Sequence, residues 1–189
     1  VTGTAAAGVE PVEPSQELVE VVDPDGRVVD VVPRGEMRRR GLRHRATYVV
    51  VRSSTGAVLA HRRAPWKDIW PHRWDLAFGG VCAVGEGWDD SARRELAEEA
   101  GVVATLRPLG PVSYDGPETA VVGRLYEAIH DGPFTFADGE VVATEWVPVA
   151  ALGAWARTHE LCDDTASVVL PVLVAPGSVG AAADHTRST

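Results

Sequence analysis

The chain has 189 residues, 45% of them hydrophobic and 24% charged, with a formal net charge of −9. That is the size and composition of one globular domain, and the negative balance disfavours a general nucleic-acid backbone binder. No apolar run approaches the roughly 18 residues of a membrane span, the start lacks a signal-peptide pattern, and two cysteines, Cys82 and Cys162, are too few for a disulfide framework or a zinc site. A cytoplasmic, reducing location is the expectation.

Residues 1–16 are Ala, Gly, Pro and Glu without periodicity and read as a disordered tail. Residues 17–175 read as one domain, and 176–189 as a second disordered tail. ELVEVVDPDGRVVDVV predicts a hairpin turning at Asp23-Pro24-Asp25-Gly26. RGEMRRRGL predicts a short basic helix ending at Gly41. ATYVVVRS and AVLAHRR predict a strand pair around Ser54-Thr55-Gly56, and WKDIWPHRWDLAF an aromatic-rich loop leading to a short strand. Trp66, Trp70 and Trp74 in that loop are read as packing residues.

The next helix is capped by Asp89 or Asp90, runs to about Ala100 and stops at Gly101. Strand-like runs follow in VVATLRPLGPVSY, TAVVGRLYEAI and EVVATEWVPV. A helix from about Ala150 to His159 and another, bent at Pro171, close the domain. The fold class is α/β (α+β), a mixed sheet with helices on its faces.

Within the central helix Ala92, Leu96 and Ala100 recur at i, i+4 and i+8, a stripe that can pack on a sheet. Beside it Glu95, Glu98 and Glu99 share a face, where like charges repel. A cluster of hard carboxylate oxygens suits Mg²⁺ or Mn²⁺, which would remove the repulsion and clamp a diphosphate.

Counted from Gly80, five residues precede Glu86, and seven more precede Arg94-Glu95-Leu96-Ala97-Glu98-Glu99-Ala100-Gly101-Val102. This resembles the Nudix box, Gly-x5-Glu-x7-Arg-Glu-U-x-Glu-Glu-x-Gly-U with U aliphatic, at every specified position. The resemblance implies the Nudix fold and a metal-dependent pyrophosphohydrolase that cleaves a diphosphate, nucleotide-derived, by attack of water on phosphorus. It implies Glu98 and Glu99 as metal ligands, with the Gly79 carbonyl and with Glu95 as ligand or base. Arg94 and Glu86 would pair to hold the helix to its loop. Gly80 and Gly101 would be backbone positions, and Mg²⁺ the cofactor with Mn²⁺ as substitute.

Flanking segments, GLRHRATYVVV and AHRRAPWKDIWPHRWD, are similar to the branch related to isopentenyl diphosphate isomerase. The isomerase's cysteine is replaced by Gly79, one metal histidine by Val81 and another by Met37, whereas His44 is retained. An isomerase-like enzyme and a non-catalytic nucleotide-binding sensor are the alternatives. Arg62, Arg63, Lys67 and Arg73 are candidate phosphate contacts. A further acid outside the box is expected as base or ligand, with Glu140 first and Glu118 second. A homodimer through the N-terminal hairpin or the C-terminal helix is the assembly considered; neither nucleic acid nor membrane is expected as partner.

Overall fold

The computed structural model describes residues 14–175. The predicted tail at 176–189 and residues 1–13 of the one at 1–16 lie outside them; Pro14–Gln16 form a 3-10 turn. The hairpin pairs β1 (Leu18–Val22) with β2 (Val28–Pro33). Its turn is built by the Asp23 carboxylate, which accepts the N–H groups of Asp25 and Arg27 at 2.9 Å each. Helix α1 (Arg34–Arg40) follows Pro33 directly and ends at Gly41, whose φ of 59° is the left-handed stop. Met37 anchors it, buried against Val19, Val21, Val32 and Val81.

Strand β3 (His44–Arg52) is the centre of the molecule and is buried on both faces. Ala46, Tyr48 and Val50 enter one core with Leu125, Val147, Leu152 and Leu173. Val49 and Val51 enter the other, with Phe78, Ala92, Leu96 and Tyr126. Its expected partner β4 (Ala57–Arg63) leaves the turn paired to it only at Arg52↔Val58. The two strands then diverge. β3 runs parallel to β7 (Ala120–Ile129), itself antiparallel to β6 (Leu106–Asp115), while β4 pairs with β5 (Trp74–Asp75) and β8 (Val141–Pro148). The mixed sheet therefore opens into a wedge, and Phe78–Ala83 fills one side of it by bridging to β3 and β1.

Helix α2 (Trp88–Ala100) covers one face; α3 (Val149–Trp155) and the C-terminal helix cover the other. α3 is shorter than the sequence suggested. The closing helix is interrupted just ahead of Pro171: Thr165–Val169 form a π-helical turn before α4 (Leu170–Val174). Pro171 has no N–H to return to the Ser167 carbonyl, so the α-helical ladder cannot run through this point. No helix among the described residues is long and apolar enough to cross a membrane.

Candidate active site

The acidic face depends on how α2 is seated. Its N-cap is Gly87, so the helix starts earlier than an Asp89 or Asp90 cap predicts. Both aspartates fall in the first turn instead, where negative charge suits the dipole, and Asp89 accepts the Tyr126 hydroxyl at 2.7 Å. Ala92, Leu96 and Ala100 are 1% exposed or less and fix the helix on the sheet. The neighbouring face then carries Glu95 inward, Glu99 half-buried and Glu98 in solvent.

Arg94 joins this face to the preceding loop. Its guanidinium forks onto Glu86, Nε to Oε1 and Nη2 to Oε2 at 2.9 Å each. Nη1 reaches Glu95 Oε1 at 2.7 Å and Glu98 Oε2 at 3.0 Å. Glu86 also accepts the Ala83 N–H at 2.9 Å, and these hydrogen bonds, Arg94's above all, hold its carboxyl down at about 2. The loop, the arginine and two box acids form one unit.

Gly79 and Gly80 make a close approach that side chains would block. The carbonyls of Phe78 and Gly80 accept β3 N–H groups, which leaves the Gly79 backbone facing away from β3. There its N–H donates to Glu99 Oε2 at 3.0 Å. A Cβ on Gly79 would stand 1.9 Å from the Thr47 carbonyl oxygen, and one on Gly80 2.6 Å from Glu95 Oε2. Burial raises the Glu95 carboxyl. Burial, then the Glu95 charge, pushes Glu99 up to about 8 despite the Gly79 hydrogen bond.

A cleft of about 500 Å³ opens over this face and runs up the wedge between β3 and β4. Glu95, Glu98 and Glu99 line it with Gly79, Gly80, Glu86 and Arg94. Arg63, Lys67 and Glu140 line it as well, and Lys67 Nζ is in contact with Glu140 Oε2. Arg62 and Arg73 are outside. Adjacent strand residues point to opposite faces, so Arg62 turns away from Arg63 and donates to the His72 carbonyl at 2.9 Å. Arg73 pairs with Asp163 and the Leu161 carbonyl. Glu118 is exposed in the β6–β7 turn and does not line the cleft.

His44 lies at the cleft as a buried neutral ring, its pKa lowered to about 4 by burial. Its Nδ1–H donates to the Leu42 carbonyl at 3.1 Å. Cys82 is buried. Trp74 packs edge-on to Trp155, Trp70 lines the cleft against Tyr114, and Trp66 is exposed.

Several cleft residues carry no local sequence signal. Tyr48 donates its hydroxyl to Asp164 Oδ2 at 3.0 Å. Asp75 accepts the Thr165 hydroxyl and the N–H groups of Leu76 and Ala77, and burial followed by the Asp75 charge raises Asp164 to about 7. Arg34 and Arg38 of α1 also face the cleft. Their i, i+4 spacing could have flagged a shared face, but not what the face would meet.

Among the described residues no three His, Cys, Asp or Glu side chains stand as a ready-made metal cluster. At Glu95 and Glu98 the Arg94 guanidinium engages one carboxylate oxygen of each. Glu99 is turned to the Gly79 N–H. The donors nonetheless fit a hard divalent cation in kind: carboxylate oxygens on one rigid face, beside glycine backbone held clear of side chains.

A NUDIX domain model matches residues 42–165. The protein named uncharacterized Nudix hydrolase PA4841, from Pseudomonas aeruginosa, is 36% identical over 151 residues, covering 79% of this chain and 89% of that one. The crystal structure of DR0079 from Deinococcus radiodurans is similar with a TM-score of 0.68 at 25% identity, over 83% of this chain and 97% of that one. The NUDIX domain of Shewanella oneidensis NrtR, in a cocrystal with ADP ribose, shares the fold with a TM-score of 0.54 at 18% identity, over 68% of this chain and 84% of that one.

Proposed function

The chain belongs to the Nudix hydrolase family, enzymes that act on pyrophosphate bonds, and from that premise we propose that it is a Mg²⁺-dependent pyrophosphohydrolase of a nucleoside diphosphate linked to a further group. Mn²⁺ would substitute for Mg²⁺. The observation that carries this reading is the complete box, folded so that its three helix acids line one cleft with Arg63 and Lys67. ADP ribose, held by the NrtR domain of the same fold, is one compound of the proposed class.

Glu95, Glu98 and Glu99 would hold the metal, together with the Gly79 carbonyl. When bound, the metal polarises the diphosphate and favours the negative charge that grows on phosphorus oxygens. Arg94 and Glu86 keep the acids in register by anchoring α2 to the 81–87 loop. Arg63 and Lys67 bind the phosphate oxygens. Water attacks phosphorus as the bridging P–O bond breaks. Glu140, at the opposite wall, takes the proton that this water gives up.

Gly79 argues against isomerase chemistry on this backbone. With a Cβ there only 1.9 Å from the Thr47 carbonyl, the position has no room for a side-chain nucleophile or acid. The test is Mg²⁺-dependent release of nucleoside monophosphate across nucleotide sugars, dinucleotides, ADP-ribose and nucleoside triphosphates, read by mass spectrometry. Glu98→Gln with Glu99→Gln should lower kcat by at least about a hundredfold. Turnover unaffected by the pair would remove these residues from the mechanism.

A further inference from the structure

The basic helix α1 has no part in the chemistry above, yet two of its four arginines line the cleft. Arg34 and Arg38 sit one helical turn apart and both line the cleft, whereas Arg39 and Arg40 on the same helix are exposed and do not. Their partners are exposed acids. Arg34 Nη1 meets Glu17 Oε2 at 3.2 Å, and Arg38 Nε meets Asp68 Oδ2 at 3.6 Å, with the Glu17 and Asp68 side chains 56% and 66% exposed. Pairs of that kind are weak and readily exchanged for a better anion.

Arg38 is the telling member. Its Nε is shut off from solvent and has no hydrogen-bond partner, since 3.6 Å to Asp68 is beyond hydrogen-bonding range. Burial lowers its proton affinity first, and among the charges that follow, Arg34 and Arg63 both push the same way. Three guanidiniums thus crowd one wall. Arg63 lines the same cleft, and against its burial, which lowers its proton affinity, the charges of Asp75, Glu99 and Glu140 raise it. Arg63's Nε and Nη2 are committed to the Ile69 carbonyl at 3.3 and 3.2 Å, which fixes the fork in place. A structural arginine would be saturated by carbonyls or carboxylates; this wall is left short of acceptors.

We propose that Arg34 and Arg38, with Arg63, form a second phosphate subsite facing the acidic helix, so that the preferred substrate carries a phosphate beyond the diphosphate that is cleaved. A phosphate offers several acceptor oxygens to forked donors and enough charge to displace Glu17 and Asp68. Nucleoside triphosphates and phosphorylated nucleoside diphosphate conjugates belong to this class. The subsite itself does not depend on the hydrolytic reading; only the placement of the remaining substrate does.

The experiment is calorimetric titration of the full chain with inorganic pyrophosphate in EDTA, where no turnover is needed. Wild type should bind, with R38Q weaker by at least about tenfold, R34Q by about three- to tenfold and R39Q within about twofold. No binding by wild type, equal binding by R34Q and R38Q, or an equal loss in R39Q overturns the proposal. Should R38Q fail to fold, R38K and R34Q decide, since Arg34 is bonded only at the exposed Glu17. With an active enzyme, R34Q and R38Q should raise KM for phosphate-extended substrates while kcat holds. A hydrolase without activity leaves the EDTA result standing, and pyrophosphate binding indifferent to α1 overturns the subsite even in an active enzyme.

Discussion

Arg94 ties three carboxylates and one carbonyl together through a single planar group. Lysine at this position keeps the charge but cannot fork onto Glu86 while also reaching Glu95. Arg94→Lys should therefore lower kcat/KM by about ten- to a hundredfold with the fold retained, measured as initial rates beside a far-UV melting curve. Gly79 answers to sterics. Gly79→Ala places a methyl carbon 1.9 Å from the Thr47 oxygen, so the loop must move off β3, at a cost of about 2 kcal/mol or more in urea unfolding. The box was readable because its residues are close in sequence and their spacing is fixed by one helix. Tyr48, Asp75 and Asp164 were not, since their encounter depends on β3, β5 and the C-terminal helix converging.

Among the elements, α2 follows most directly from its sequence. The Ala92, Leu96 and Ala100 stripe buries as expected, and Gly101 takes the left-handed stop at φ 67°. Gly101→Ala meets both that φ and a Thr135 contact of 2.9 Å, so it should destabilise by about 1–3 kcal/mol in urea unfolding. Leu96→Ala should cost about 2–5 kcal/mol, with kcat for the surviving folded fraction little changed, because Leu96 points away from the cleft. The helix starts at Gly87 and not at an aspartate cap for a non-local reason. Asp89 and Asp90 are good caps in isolation, but Asp89 is drawn to Tyr126 on β7, a partner that local spacing does not reveal. The π-helical turn before Pro171 is a similar case: proline announced an interruption, and packing of Thr165 and Val169 into the core chose its form.

At the scale of the molecule, two buried histidines work against folding in acid. His44 and His61 are both held near 4 by burial, against 6.5 in an open chain, and His61 lies stacked on Phe78 with ring centroids 4.3 Å apart. Below pH 6.5 the unfolded chain takes up protons that these rings refuse in the folded one, so their share of the stability is full above 6.5 and is lost as the pH drops toward 4, whereas Glu99 and Asp164, raised to about 8 and about 7, act in the opposite sense. The slope approaches ~1.4 kcal/mol per pH unit for each histidine. Urea unfolding of the wild type beside His61→Phe between pH 7 and 4.5 isolates the share of that ring: the variant should lose less stability toward acid than the wild type, by up to that slope. An identical pH dependence in the two proteins would mean that the His61 ring is not held neutral.

The sequence alone determined the shared face of Glu95, Glu98 and Glu99 on the central helix, the hairpin turn and the alternation of strands and helices, because each is written in residues within a few turns of one another. It also put a glycine at position 79, where the resemblance places the isomerase's cysteine. Only the tertiary structure decided which cations meet that acidic face. The divergence of β3 from β4 opens the cleft, strand alternation then keeps Arg63 and sends Arg62 away, and the placement of α1 brings Arg34 and Arg38 in. Those outcomes rest on long-range strand pairing, which no local spacing records.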